Sequence, residues 1–348
     1  MRKYWIGMML AAAMLAGCKN ESKAPDVSHL QAEVKLVRFD TAFFSLDTTR
    51  LEAGLDALQQ RYPHFLADYL FKIIGIGDPS APQTGDAIRS FLSSYQPVYK
   101  AAEEVVQAHG ANWQLQMAQT LRYLQHYFPQ WKPEKPFELL TFIGPMDAYE
   151  PFATGDYGDV RTAKGVGVAL QLHLGASEPL YEDGRQAGIF YDYQTRRFTP
   201  DMVVVNAAKN ILQDLFPYRD ESLSLVETMV EKGKRLYALK KVMPDTPDSL
   251  LLGYSGQQLK GCLANEALIW NFFVKNDLLF SKEPAINRNY LMDGPKTQEL
   301  GEGAPGYIGL FTGWRLVTAY MQQHPELSLT QLMQVPPRQL FEQAGYKP

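Results

Sequence analysis

The chain has 348 residues, 46% hydrophobic, 21% charged and 12% aromatic, with a formal net charge of −4. This is an ordinary globular composition, and without a Lys/Arg block it offers no basic face of the kind that nucleic-acid phosphates require. Cys18 and Cys262 are the two cysteines, so with Cys18 otherwise engaged no internal disulfide is available and packing must carry the stability.

Arg2 and Lys3 precede an apolar run over residues 6–15 that closes in Leu15-Ala16-Gly17-Cys18. A cationic start, an apolar run shorter than the roughly 20 residues that span a bilayer, and small residues before a cysteine read as a lipoprotein signal over 1–17. Cys18 is then the first mature residue and the site of lipid attachment, where several acyl chains, at about 0.8 kcal/mol per buried methylene, make membrane attachment effectively permanent. An ordinary signal peptide with an incidental cysteine is the alternative. Lys19 is not the Asp that in enteric bacteria resembles an inner-membrane retention signal. A cell-envelope address is therefore expected, at the outer membrane facing the periplasm, with the cell surface as the other option. Residues 18–30 are polar and read as a flexible tether. The folded body, 31–348, reads as a single large domain with an optional sub-boundary near 130.

Residues 34–39 (VKLVRF) have the alternation of a strand, and a helix through Leu51, Leu55 and Leu58 stops at Tyr62-Pro63. Residues 65–74 read as helix, 75–85 as a Gly/Pro/Asp loop, and 87–128 as two or three amphipathic helices. Strands are expected at 137–143 (FELLTFI) and 166–174 (VGVALQLHL), with loop or short strand from Tyr181 to Arg197. Helices follow at 201–216, 223–241, 257–279 and 307–323, each with a proline just beyond its end (Pro217, Pro244, Pro284, Pro325) acting as a stop. The expected class is α+β, helix-rich, with a small central sheet, antiparallel or mixed.

Searches for chemistry return little. The six histidines (His29, His64, His109, His126, His173, His324) include no pair four apart, which removes a single-helix zinc site. Gly301, Gly303 and Gly306 spell G-x-G-x-x-G, but residues 293–300 before them are no strand, so a glycine-rich loop entering a helix is the better reading. No G-x-S-x-G elbow and no phosphate-binding G-x-x-x-x-G-K-[ST] loop occurs. No catalytic residue, metal or cofactor is assigned, and the chain is expected not to be an enzyme.

Within the helix expected at 257–279, Leu259, Cys262, Leu263, Ile269, Trp270 and Phe273 form an apolar face with Glu266 in its middle. A carboxylate there is costly unless paired. It is either a general acid/base or ligand contact, or an ion pair with Arg235, Lys234 or Arg315. Tyr307, Leu310, Phe311, Trp314, Val317 and Met321 make a stripe on the last long helix that reads as core, and Gly306, Gly309 and Gly313 would admit a neighbouring backbone.

Arg38-Phe39-Asp40, Tyr62-Pro63, Leu172-His173-Leu174-Gly175 with Tyr181, Lys232-Gly233-Lys234 with Leu236-Tyr237, Met243-Pro244, Gly253-Tyr254, Asn265-Glu266 with Ile269-Trp270, Pro305-Gly306-Tyr307-Ile308-Gly309 with Gly313-Trp314, and the terminal Tyr346-Lys347-Pro348 occur in an order and spacing that resembles the GldB family of gliding-motility lipoproteins of Bacteroidetes. The resemblance implies an envelope lipoprotein serving a gliding apparatus that overlaps the type IX secretion system, and it brings no catalytic residues. In element order the chain is also similar to gluzincin-like zinc peptidases. Laid on their H-E-x-x-H and downstream E-G pattern, the metal positions fall on Asn206, Ala207, Asn210 and Lys232-Gly233, which implies a degenerate zincin-like scaffold with the metal site lost.

Three functions stand at this point. The first is a non-catalytic envelope protein, held to the membrane through Cys18, that acts by contact with envelope proteins of a motility or secretion machinery. The second is a lipoprotein that captures peptide or glycan in a cleft between the middle sheet and the C-terminal helices. The third is a hydrolase without a recognisable motif. No nucleic-acid partner is expected.

Overall fold

A computed structural model of the protein describes residues 24–76, 83–146, 159–217 and 222–348. The signal over 1–17, Cys18 and part of the tether lie outside the described residues. Strand β1 (Val34–Arg38) leads into α1 (Phe39–Phe44), α2 (Leu51–Arg61), the short α3 (Leu66–Asp68) continued by a π turn (Tyr69–Ile73), α4 (Thr84–Ser94) and the 32-residue α5 (Gln96–Tyr127). Then come β2 (Phe137–Phe142), β3 (Val160–Thr162) and β4 (Gly165–Ala169) with a 3-10 turn (Leu170–Leu172), α6 (Pro179–Gln186), α7 (Asp192–Thr195) and α8 (Met202–Leu215). The last third holds α9 (Leu225–Val242), α10 (Asp248–Leu252), α11 (Gly256–Ala264), α12 (Glu266–Lys275), α13 (Pro284–Leu291), α14 (Ile308–Gln323), α15 (Leu329–Gln334) and α16 (Pro337–Gln343).

The fold is α+β with a four-stranded mixed sheet in the order β1-β2-β4-β3. β1, β2 and β4 are parallel, and β3 runs antiparallel to β4. β2 and β4 are buried almost throughout, as parallel strands covered by helices must be. Gly165 starts β4 because a Cβ there would stand 2.0 Å from the Glu138 carbonyl oxygen.

Several expectations change. The strand expected at 166–174 ends at Ala169, because its last amide donates to the buried Asp159 carboxylate (2.8 Å) and the chain turns into the 3-10 segment. The span from Tyr181 to Arg197, expected as loop or short strand, holds no strand: α6 runs to Gln186 and α7 covers Asp192–Thr195, with loop between them at 187–191. The single helix expected over 257–279 is two. Asn265, whose side-chain amide donates to the Gly261 carbonyl (2.9 Å), competes for the backbone acceptor and breaks the run between α11 and α12. The end of the tether is seated: Val27 is buried and the Leu30 and Gln31 carbonyls accept from Arg122 and Gln125 on α5.

One cluster of buried residues runs from Val27 to Ala344 and continues past residue 130. α5 contributes by packing on β1, α8 and α9, and Trp113 Nε1 donates to the Pro200 carbonyl at 3.0 Å. The most extensive helix pairing is α9 with α14. It is a backbone-to-backbone crossing: a Cβ on Gly313 would lie 1.8 Å from the Met229 carbonyl oxygen, and one on Gly233 would lie 2.3 Å from that of Gly313. The apolar stripe of α14 is core, as expected.

Candidate functional site

The polar side chains singled out in the sequence sit on the helices around that crossing. Glu266 opens α12, where its charge also suits the helix N-terminus. Its Oε1 accepts from Arg315 Nε (2.7 Å) on α14 and from the Tyr346 hydroxyl (2.7 Å) in the C-terminal tail. Arg315 lies over Trp314, and Tyr346 meets Trp270 edge-on at 5.1 Å. Burial, then the neighbouring Glu266 carboxylate, pushes the Tyr346 phenol far above its ordinary range, so it stays a donor. Of the three cations that Glu266 could have met, the pairing is with Arg315.

Arg235 and Lys234 serve Glu231 instead. Lys234, fully buried, donates to Glu231 Oε1 (2.6 Å) and to the Val335 carbonyl (2.5 Å) at the end of α15. Arg235 reaches Glu231 Oε2 (3.3 Å) and donates twice to the Phe216 carbonyl (3.1 and 2.7 Å) at the end of α8. Glu231 thus gathers two cations that each close the C-terminal end of another helix, where carbonyls lack partners. Sequence reasoning passed over it, although Glu231 stands three and four residues before the two cations, the helical spacing for such pairs.

Asn206 and Asn210 are buried on α8, and Asn210 Nδ2 donates to the Asn206 carbonyl (3.1 Å). Lys232 on α9 donates to the Tyr307 hydroxyl (2.8 Å) and lies over its ring. Tyr307 is held at φ +61°, a strained conformation for a tyrosine, and its carbonyl accepts from the Tyr254 hydroxyl at 3.1 Å. Among the described residues no group of three or more His, Cys, Asp or Glu side chains is placed to hold a metal ion.

Two further arrangements include residues of the family-like motifs, His173 and Arg38-Phe39-Asp40, to which the sequence assigned no site. His173 and Asp159 are both buried, with His173 Nε2 3.4 Å from Asp159 Oδ1 and Nδ1 3.2 Å from the Thr199 carbonyl. A cavity of about 490 Å³ opens between the end of β1, α1 and α2, lined by Arg38, Thr41, Leu46, Leu58 and Arg61 among others. It does not lie in the cleft expected between the middle sheet and the C-terminal helices. Arg38 on its wall is held by the buried Asp40, which also accepts from Thr141 (2.5 Å).

Chemically, each network joins elements. Glu266 ties α12 to α14 and the tail, Glu231 ties α9 to α8 and α15, and Asp40 ties α1 to β2. The family model for the gliding motility protein GldB matches residues 20–348. No curated protein and no solved structure matches the chain, and the likeness to zinc peptidases rests on element order alone.

Proposed function

We propose a function from one premise: the chain belongs to the GldB family, the gliding motility proteins whose family model spans residues 20–348. On this reading it is an outer-membrane lipoprotein, anchored through Cys18 with its body in the periplasm, that supports a gliding or secretion machinery by contact with other envelope proteins and performs no catalysis. The observation that carries the reading is the extent of the family match, which begins two residues after Cys18 and runs to residue 348. The use of Glu266, Arg315, Glu231, Arg235 and Lys234 in joints between helices supports a structural rather than a reactive role for them.

The test is complementation of a strain lacking the protein. Cys18→Ala should leave the fold intact, remove palmitate labelling and abolish motility, while native chain purified in detergent retains envelope proteins as stable partners. Full motility from the unlabelled Cys18→Ala chain would overturn anchoring as part of the function. Turnover of a peptide or glycan, lost in Glu266→Gln at unchanged Tm, would overturn the non-catalytic role.

A further inference from the structure

The stretch from α11 to α13 is apolar on the wrong side. Ten large apolar side chains are exposed among the described residues, and six of them fall within residues 263–292: Leu263, Leu268, Val274, Phe280, Ile286 and Met292. α12 shows why. Ile269 and Phe273 face the core, but the opposite face carries Ala267, Leu268, Asn271 and Val274, so the helix is apolar nearly all round while half of it meets solvent. Leu268 is 66% exposed and Phe280 50%. Six exposed large apolar side chains on thirty consecutive residues are more than scattered surface positions and mark a segment that is covered in use.

The rim identifies the cover. Lys260, Lys275, Lys282 and Arg288 are exposed around the patch and enter no ion pair among the described residues, against Asp277 and Glu283 on the acidic side, in a chain whose net charge is −4. Lysine is depleted at protein–protein interfaces, whereas aliphatic and aromatic side chains flanked by lysines are what an interfacial helix presents to anionic headgroups. The tether places this face. From Cys18 to Ala24 there are six residues, which reach at most about 20 Å, so an anchored body is held close to the bilayer. Its seated end, Leu30, bonds to Arg122 near the C-terminal end of α5. At that same end the Tyr127 carbonyl accepts from Thr330 of α15. α16 follows directly, where Phe341 packs on Phe280 and Trp270, and Arg338 lies over Phe280. The seated end of the tether and the α16 side of the patch therefore lie toward one end of a helix about 48 Å long.

We propose that the outward face of α11–α13 is a membrane-seating surface that lies on an anionic phospholipid bilayer. The proposal rests on the lipid-anchored reading above, and extends it: the lipid holds the body near the membrane and this face fixes its orientation, leaving the opposite side for partners.

The test uses the mature chain from residue 18 with Cys18→Ser, which carries no lipid, so the outcome is independent of whether the native cysteine is acylated. Sedimentation with vesicles containing phosphatidylglycerol should pull the chain down at low salt, and pure phosphatidylcholine vesicles should bind it less. Leu268→Gln with Val274→Gln should weaken binding about tenfold or more, and each of Lys260→Gln and Lys275→Gln about fivefold. All are exposed positions, and unchanged Tm shows that the fold is kept. Absence of binding to either vesicle, or binding indifferent to these substitutions, overturns the proposal. So does self-association of the wild-type chain that Leu268→Gln abolishes, which would assign the face to a second copy, or loss of a co-purifying envelope protein in that variant without effect on vesicles, which would assign it to a protein partner. Acylation itself is read separately from the mass of the native N-terminal peptide.

Discussion

Gly313→Ala is the sharpest test of the α9–α14 crossing. Ordinary van der Waals contact begins at 3.4 Å, and the added Cβ would stand 1.8 Å from the Met229 carbonyl oxygen, so the helices must part by about 1.6 Å along that line. The obstacle is backbone, which no rotamer change can move aside. Overpacking a core costs about 1–3 kcal/mol, and this case belongs at the upper end, about 3 kcal/mol. For a body of this size, with an unfolding entropy of about 2.1 cal/mol/K per residue, that lowers Tm by roughly 4–5 °C. Gly233→Ala meets the same crossing at 2.3 Å, so once the helices have parted the second methyl fits more easily, and the double variant should cost less than the sum. Gly261, in the middle of α11 with nothing within 4 Å of its Cβ position, is the control: Gly261→Ala should stabilise by about 0.5–1 kcal/mol. The assay is chemical and thermal denaturation followed by circular dichroism. A Gly313→Ala chain within about 0.5 kcal/mol of wild type, or a fully additive double variant, refutes the reasoning.

Removing the shared acceptor with Glu266→Ala should destabilise by about 1–3 kcal/mol and expose the tail around Tyr346 to protease, whereas a neutral result would mean that the network holds nothing in place. Burial raises the phenols of Tyr69, Tyr181, Tyr254 and Tyr346, so their contribution to stability is complete below the ordinary tyrosine value of about 10 and is lost as pH rises above it. Alkaline titration should accordingly show these phenols ionising only with unfolding, and reversible ionisation in the native chain would contradict it. Burial also pushes the Cys262 thiol up to about 12, so a thiol reagent at about pH 8 should leave it untouched until denaturant is added. Fast labelling of the native protein would place that side chain at the surface.

Elements set by local pattern were legible. The strand patterns of 34–39 and 137–143 became β1 and β2, and Pro217, Pro244 and Pro325 stand two residues beyond the ends of α8, α9 and α14, whereas Pro284, expected as a stop, is the first residue of α13, nine residues past the end of α12. The glycines singled out at 306, 309 and 313 do admit neighbouring backbone, but three different stretches of it: Gly313 meets Met229 of α9, Gly309 meets Tyr290 of α13 and Gly306 meets Gly294. What the pattern missed depends on distant partners. Nothing in the run 166–174 says that Asp159 will take the Ala169 amide and end β4. Asn265 reads as one polar residue in an apolar helix until its side chain is seen bonding the Gly261 carbonyl. The choice among Arg235, Lys234 and Arg315 for Glu266 turns on which helix α12 packs against, a tertiary fact. Leu263 belongs to the apolar face of the continuous helix expected over 257–279, but with the run broken at Asn265 it is exposed while Cys262 beside it is buried.

Because residue 34 pairs with residue 137, β1 is made about a hundred residues before the strand that completes it. A chain delivered at about 5–20 residues per second leaves that strand open for roughly 5–20 s. During that time VKLVR is an unsatisfied apolar edge, guarded by the exposed Lys35 and by Arg38, and open to pairing with another chain in the same state. On the lipid-anchored reading proposed above, the strand nearest the anchor is the first of the sheet to be made and among the last to settle. Fixing its end to a membrane before the partner strand arrives would keep such early chains from diffusing into one another, so the anchor would protect folding as well as set location.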